Sequence, residues 1–238
     1  MSSDPSFARS WVYGPRSGIL ILNKGGGGVM PWYLSGGITL AQCVAAYQPK
    51  GAADFATSKI NLNSPGTHNL TDGAAAPTWA SATGWSFVTA SSQYLVSDIT
   101  PPDGTYSYII QYSNASSNPG RLFGMLAVTA GQLYIQPNQG GVNVQYQNGS
   151  GAANSAAGTQ PTGNAAIANL ACYRNGVADG SIGSGAYSGA MRAIWIGGQN
   201  NGGTGASFIT GDILSFAVYN ITLSAAQVAA VAAAMAAL

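Results

Sequence analysis

From Ile38 onward the chain is a series of short apolar or alternating runs, each closed by a cluster of Gly, Asn, Pro or Asp. "CVAAYQP", "WSFVTASSQYLVS", "TYSYIIQYS", "RLFGMLAV", "QLYIQP", "VNVQYQ", "NLACYRNG", "AIWIGG" and "DILSFAVYN" are separated by "PPDG", "SNPG", "PNQGG", "QNGS" and "RNG". Tyr106, Tyr108, Ile110 and Tyr112 alternate with other residues, as do Val142, Val144 and Tyr146, which is the two-residue period of half-buried strands. The Gly, Asn and Pro clusters supply the backbone angles that tight turns need. Many short strands, frequent turns and no helix before the end predict an all-β fold, an antiparallel β-sandwich.

The C-terminal segment completes that pattern. Ile194, Trp195 and Ile196 read as a buried strand, "GGQNNGGTGASFITG" as a crossing loop, and Ile213 to Tyr219 as a returning strand with Asp212 at its start. A short α-helix is expected over 224–238. Ser224 can cap it, Gln227 can close a capping box, and Leu223 with Val228 can form a hydrophobic staple. Val228, Val231, Met235 and Leu238 recur at spacings of three and four, so they share one face. A helix this short is marginal alone in water, so it must pack on a surface, and the sandwich of its own chain is the expected one.

Residues 1–37 read differently, as an N-terminal arm preceding a sandwich domain over 38–238. They join "SGILILNK", the four glycines Gly25 to Gly28 and the aromatic "MPWYLSGG" without any turn-spaced strand series. Four consecutive glycines carry a large conformational entropy and build no core. Such an arm either docks on a neighbouring subunit or packs back on its own domain. Docking is the simpler expectation, with Trp11, Tyr13, Ile19, Leu20, Ile21, Leu22, Trp32 and Tyr33 as the assembly contacts.

Composition narrows function by exclusion. Charged residues are only 6% of the chain, against roughly 25% in ordinary globular proteins. The formal net charge of +1 and the scattering of the eight basic residues argue against a nucleic-acid partner. No run reaches the roughly 18 uninterrupted apolar residues of a membrane span, and the N-terminus lacks the basic-then-apolar order of a signal peptide. Synthesis in a cytoplasm without signal-led export is the expectation. Cys43 and Cys172 sit among apolar residues, as two buried thiols or a disulfide, and with one histidine they cannot make a structural metal site.

The order of an "IGG" strand, a glycine-rich loop, "GDILSFAVYN" and "LSAAQV" resembles the C-terminal part of laminin-G-like domains of the concanavalin A-like lectin/glucanase fold, a jelly-roll sandwich. "CYRNGVADGS" is similar to a strand-turn-strand of that family and "WSFVTASSQYLVS" to its first core strands, so the resemblance covers 42–233. The lead-in "MPWYLSGG" to "CVAAYQPKGAA" is similar to that of such domains in tailed-bacteriophage virion proteins. The resemblance implies a non-enzymatic structural protein of a virion, in the head as decoration or in the tail, assembled in the host cytoplasm with other virion proteins and copies of itself. The alternative is a glycan-binding module for surface recognition.

The chemistry of that fold can be checked residue by residue. Its glycoside hydrolases use paired carboxylates, two Glu with an Asp between them on one strand. This chain has no glutamate, and no two of Asp4, Asp54, Asp72, Asp98, Asp103, Asp179 and Asp212 lie two or four apart. The single histidine, His68, is in a loop, and there is no Gly-x-Ser-x-Gly elbow. Some laminin-G-like domains bind calcium through loop acids, for which Asp98, Asp103 and Asp179 are the candidates, but each is equally a turn former. No catalytic residue, metal or cofactor is expected. For a glycan, Trp79 is the candidate contact, because Trp195 between isoleucines reads as core and Tyr108 and Tyr112 as sheet-face filling.

Overall fold

The computed structural model of the protein describes residues 30–116, 119–155 and 158–238. After two single-turn 3-10 helices, Trp32–Leu34 and Leu40–Gln42, come strand β1 (Cys43–Tyr47), helix α1 (Phe55–Ser58), β2 (Thr71–Asp72), β3 (Thr78–Ala80) and β4 (Gly84–Phe87). Next are β5 (Leu95–Val96), β6 (Ser107–Ser113), β7 (Phe123–Leu126), β8 (Gln132–Gln139), β9 (Asn143–Gly149) and β10 (Gly151–Asn154). The remainder holds β11 (Gly163–Ala168), β12 (Ala171–Arg174), β13 (Val177–Ser181), β14 (Trp195–Ile196), β15 (Gln199–Asn201), β16 (Thr204–Ala206), β17 (Gly211–Tyr219) and helix α2 (Ala225–Ala236).

These strands form the expected antiparallel sandwich of two sheets. The first has the order β13-β12-β11-β6-β17-β4-β3, with β1 pairing the C-terminal half of β17. The second has the order β10-β9-β8-β7-β14-β5-β2, extended by β15, which meets β7 in a single parallel bridge, and β16. The segment expected as one crossing loop after β14 thus contains a hairpin, β15–β16, whose turn is built from the Gly202–Gly203 pair.

Alternation along β6 and β17 explains why their sequences are apolar almost throughout. Tyr108, Ile110 and Tyr112 of β6, with Ile213, Phe216 and Val218 of β17, fill the space between the sheets. Ile109, Ala217 and Tyr219 point the other way, into a second cluster under α2. Strands buried on both faces have no polar side to show. The second cluster is floored by Ala46, Ala166, Ala168 and Ala217, small enough for an alanine-rich helix to lie close to the sheet.

Helix α2 starts as its sequence dictates. Ser224 Oγ accepts from the Gln227 N–H at 3.3 Å, and Gln227 Oε1 accepts from the Ser224 N–H at 3.0 Å, closing the capping box. Val228, Val231 and Met235 are buried on its inner face, each adding roughly 1.5–3 kcal/mol of apolar burial. Leu238 packs against the same cluster while remaining partly exposed. No helix among the described residues is long and apolar enough to cross a membrane.

Trp32 and Tyr33, expected on the assembly arm, belong to this cluster instead. Both are 7% exposed, their rings meet edge to face with centroids 5.5 Å apart, and the packed unit begins at Pro31. The Trp32 indole N–H donates to Gln48 Oε1 at 3.0 Å, and the Tyr219 hydroxyl donates to the Tyr33 carbonyl at 3.0 Å. Burial of two aromatics and these hydrogen bonds outweigh the breaks that the flanking glycines suggest. Trp11, Tyr13, Ile19, Leu20, Ile21 and Leu22 lie outside the described residues.

Candidate functional site

Helix α2 packs on the outer face of the first sheet, whereas no helix among the described residues covers the outer face of the second. That open face takes its character from the polar members of alternating strands. In β8, Leu133 and Ile135 go to the core, leaving Gln132 and Tyr134 outward; in β9, Val144 and Tyr146 go inward, leaving Gln145 and Gln147 outward. Val142, expected in the inward series, lies before the strand and is exposed.

Arg121, two residues ahead of β7, organises the middle of this face. Its guanidinium carbon lies 3.8 Å from the centre of the Tyr134 ring, a cation–π contact, and its Nη1 donates to Gln132 Oε1 at 2.9 Å and to Gln199 Oε1. Gln199 Nε2 in turn donates to the Met125 carbonyl and to Gln132 Oε1, both at 3.1 Å. Gln199 is seated over Gly124, where an added Cβ would stand 2.6 Å from the Leu133 carbonyl oxygen and 3.5 Å from Gln199 Cγ. The Tyr134 hydroxyl donates to Gln145 Oε1 at 2.6 Å, and Gln145 Nε2 donates to Asn154 Oδ1 at 3.0 Å, carrying the amide array to the sheet edge. Burial pulls the Arg121 pKa below the usual arginine value and pushes the Tyr134 phenol up.

Beside the array stands an aromatic stack. The Tyr94 ring lies 4.6 Å from Trp195 at an interplanar angle of 12° and 5.9 Å from Phe208 at 27°. A groove of about 330 Å³ runs along Tyr94 and Phe208, with Ala74, Ser92, Thr204, Gly203 and Gly205 as its other walls. Gly205 is required there, since a Cβ would meet the Phe208 ring at 2.7 Å and Tyr94 at 3.0 Å. Trp195 is buried as expected but lies on the outer side of β14, because Ile194 and Ile196, its neighbours in the chain, both turn to the core. Tyr94 and Trp195 are buried, and Tyr94 is already stacked on Trp195 and Phe208, so Phe208 is the ring left partly exposed; it can meet a sugar ring while the partly exposed Gln132 amide hydrogen-bonds its hydroxyls.

The residues singled out from sequence are placed elsewhere. Trp79 is on β3, paired with Trp85 of β4 at the edge of the first sheet; it is half-buried, and its indole N–H donates to the Pro49 carbonyl at 2.9 Å. The structure does not bring it to the open face. His68 Nδ1 lies 2.7 Å from Asp98 Oδ1. Asp103 accepts from the Thr105 hydroxyl at 2.6 Å and N–H at 2.8 Å, bonds that hold its carboxyl below the usual range. Asp179 accepts from the Tyr146 hydroxyl at 2.8 Å and from Arg174 at 3.2 Å, so the three loop acids occupy separate arrangements. Tyr108 and Tyr112 fill the core as expected. Cys43 lies under α2 and Cys172 between the sheets, on opposite faces of the first sheet; both are free thiols, and burial pushes each up to about 12.

Arg121, Gln132, Tyr134, Gln145, Gln199, Tyr94 and Phe208 are the residues that sequence reading missed. The alternation of "QLYIQ" and "VNVQYQ" carries the signal for the glutamines and Tyr134, and Ile-Trp-Ile carries it for Trp195. Nothing local marks Arg121, which meets Gln199 only through the pairing of distant strands.

Comparison with known proteins fits this architecture. A family model described as the concanavalin A-like lectin/glucanases superfamily, of the third laminin G type, matches residues 98–229, more than half of the chain. No curated protein matches it. Among solved structures, a Trypanosoma rangeli sialidase in complex with 2,3-difluorosialic acid aligns with a TM-score of 0.54 at 12% identity, covering 80% of this chain and 32% of its own. The chain therefore spans about a third of that sialidase. Domain 4 of AbnA, an extracellular arabinanase of Geobacillus stearothermophilus in complex with arabinotriose, aligns at 17% identity and a TM-score of 0.47, covering 81% of this chain and 98% of that one. The CBM40 of Ruminococcus gnavus IT-sialidase aligns at 17% identity and a TM-score of 0.43 over 56% of this chain and 84% of that one. At these identities the sialidase likeness speaks to fold alone. With its two sheets, its covering helix and the matched segment from Asp98 to Ala229, the chain belongs to the concanavalin A-like lectin/glucanases superfamily as a laminin G-like domain.

Proposed function

We propose that this protein is a non-enzymatic carbohydrate-binding module that holds glycans on the open face of its second sheet. The observation that carries the reading is the partly exposed Phe208 ring, backed by the buried Tyr94–Trp195 stack, beside the Arg121–Gln132–Gln199–Tyr134 array on a face that no helix among the described residues covers. Support for binding without hydrolysis comes from the acids. The chain has no glutamate, and each described aspartate is already engaged: Asp54 caps α1, Asp72 pairs with Lys59, and Asp212 accepts from Ser86, Ser113 and Asn114. Asp98, Asp103 and Asp179 are held as described above. An array of immobilised oligosaccharides probed with the full chain tests the proposal. The wild type should bind a defined set, and Phe208→Ala should weaken that binding roughly tenfold, the loss of one ring contact. No binding by a folded wild type overturns it.

A second reading concerns setting, and it rests on the arm. A strand-like "GILILN" and four glycines precede the packed unit, an arrangement suited to tethering a domain to a larger body. We propose a bacteriophage virion as that body, assembled in the host cytoplasm from other virion proteins and copies of this chain. Antibodies against the domain should decorate intact particles in electron micrographs, and particles lacking the chain would overturn this setting.

A further inference from the structure

We infer that the open face selects acidic glycans, with Arg121 as the residue that receives the sugar's carboxylate or sulfate. This rests on the glycan-binding reading and names the ligand class. Among the described cations, Lys59 pairs with Asp72 and Arg174 with Asp179, whereas Arg121, Arg192 and Lys50 have no carboxylate partner among the described residues. Two of those three converge on the end of β7: Arg121 through Gln199, which donates to the Met125 carbonyl, and Arg192 through Nη1, 3.4 Å from the Leu126 carbonyl oxygen.

Arg121 is the unusual one. It is pressed against Tyr134, and its Nη1 donates to two neutral amide oxygens. Its Nε is buried and has no hydrogen-bond partner among the described residues. A guanidinium taken out of water costs free energy unless an anion or a full set of acceptors compensates, and here the acceptors are incomplete. Burial lowers its pKa, yet arginine keeps its proton in proteins, so the charge persists. The described aspartates are committed elsewhere, so no carboxylate among the described residues answers it. Gln132, Gln199 and Tyr134 fix the guanidinium plane and take up both Nη1 hydrogens, which leaves Nη2 as the donor for a ligand's anionic oxygen. The groove at Tyr94 and Phe208 has no charged wall and so offers a place for a sugar ring; Tyr94 stacks on Trp195, Trp195 pairs with Gly124, and Gln199 over Gly124 holds Arg121, which puts groove and guanidinium on the same face.

The test uses the full chain and matched probes: trigalacturonate, its methyl ester, a sulfated galactan trisaccharide and an RNA oligonucleotide. The acidic sugars should bind roughly 10- to 100-fold more tightly than the ester, the range of one charge-assisted contact, with the gap narrowing at high salt. Whichever of the two acids binds better separates a carboxylate from a sulfate ligand. R121Q should abolish the gap and R121K should keep part of it. The wild-type ratio of acid to ester decides the matter even if R121Q does not fold. Equal binding of acid and ester, or an R121Q variant with an unchanged ratio, overturns the inference and leaves a neutral-glycan module standing. Binding of the RNA alone overturns it as well, and no sugar binding on any array overturns the glycan reading itself.

Discussion

Val231→Asp probes the contact that distinguishes the covered sheet from the open one. Val231 is fully buried on the inner face of α2, in a cluster of alanines, Tyr173, Ile109 and Met235 that contains no basic side chain. Losing the valine burial costs about 1.5 kcal/mol. An unpaired carboxylate in such a site has its pKa raised by roughly 3–5 units, and each unit is worth about 1.36 kcal/mol. Because the folded state then holds its proton more tightly than the unfolded chain, stability falls as pH rises from the ordinary aspartate value toward the raised one. At pH 7 the two effects sum to roughly 5–6 kcal/mol, while near pH 4 little more than the lost burial remains. At about 2–4 °C per kcal/mol for a domain of this size, the melting temperature should drop by more than 10 °C at pH 7 and by only a few degrees at pH 4. Calorimetry of the full chain at both pH values, with Val231→Ala as the pH-independent control, reads this directly. A variant melting within 2 °C of wild type at pH 7 would refute the packing of α2 on its own sheet.

Removing residues 1–30 should leave melting unchanged, whereas removing 1–37 takes away Trp32 and Tyr33 and should cost at least roughly 3 kcal/mol; equal melting of the two truncations would contradict their place in the fold. Native protein at pH 8 should react slowly with a disulfide reagent and release two thiols only after denaturation, since burial holds Cys43 and Cys172 up at about 12. Stability should likewise fall as pH climbs above 9, where the unfolded chain ionises its thiols first; rapid labelling of either native cysteine would contradict this. Asp212→Ala leaves three donors without their acceptor and should lower stability by about 2–4 kcal/mol while glycan binding persists. Release of reducing sugar by wild type that this change abolishes would overturn the non-enzymatic reading.

The sandwich was readable because its signals are local. Period-two alternation in Tyr106 to Tyr112, turn clusters such as "PNQGG", and the Ser224–Gln227 capping box each depend on residues a few positions apart. The place of Trp32 and Tyr33 in the domain is not legible locally, because 3-10 turns have no periodicity of their own and the flanking glycines imitate a hinge. Trp79 is the expected glycan contact, yet it sits on the edge strand Thr78–Ala80 with its indole N–H on the Pro49 carbonyl. The open face was hidden for a different reason. Alternation says that Gln132, Tyr134, Gln145 and Trp195 turn away from the core, but only the position of α2 says which sheet it leaves uncovered. Arg121 and Gln199 come together across 78 positions, a pairing that no window along the chain can reveal.

The most direct test of the central claim is to map where a bound glycan protects the backbone. Hydrogen–deuterium exchange of the full chain, with and without a saturating amount of the tightest-binding oligosaccharide from the array, should show slowed exchange in β7 to β9 and across 199–208. The first sheet and α2 should be unchanged. Protection confined to α2 and Trp32–Leu34, or to the Trp79 edge, would place the site elsewhere and contradict the reading of the open face.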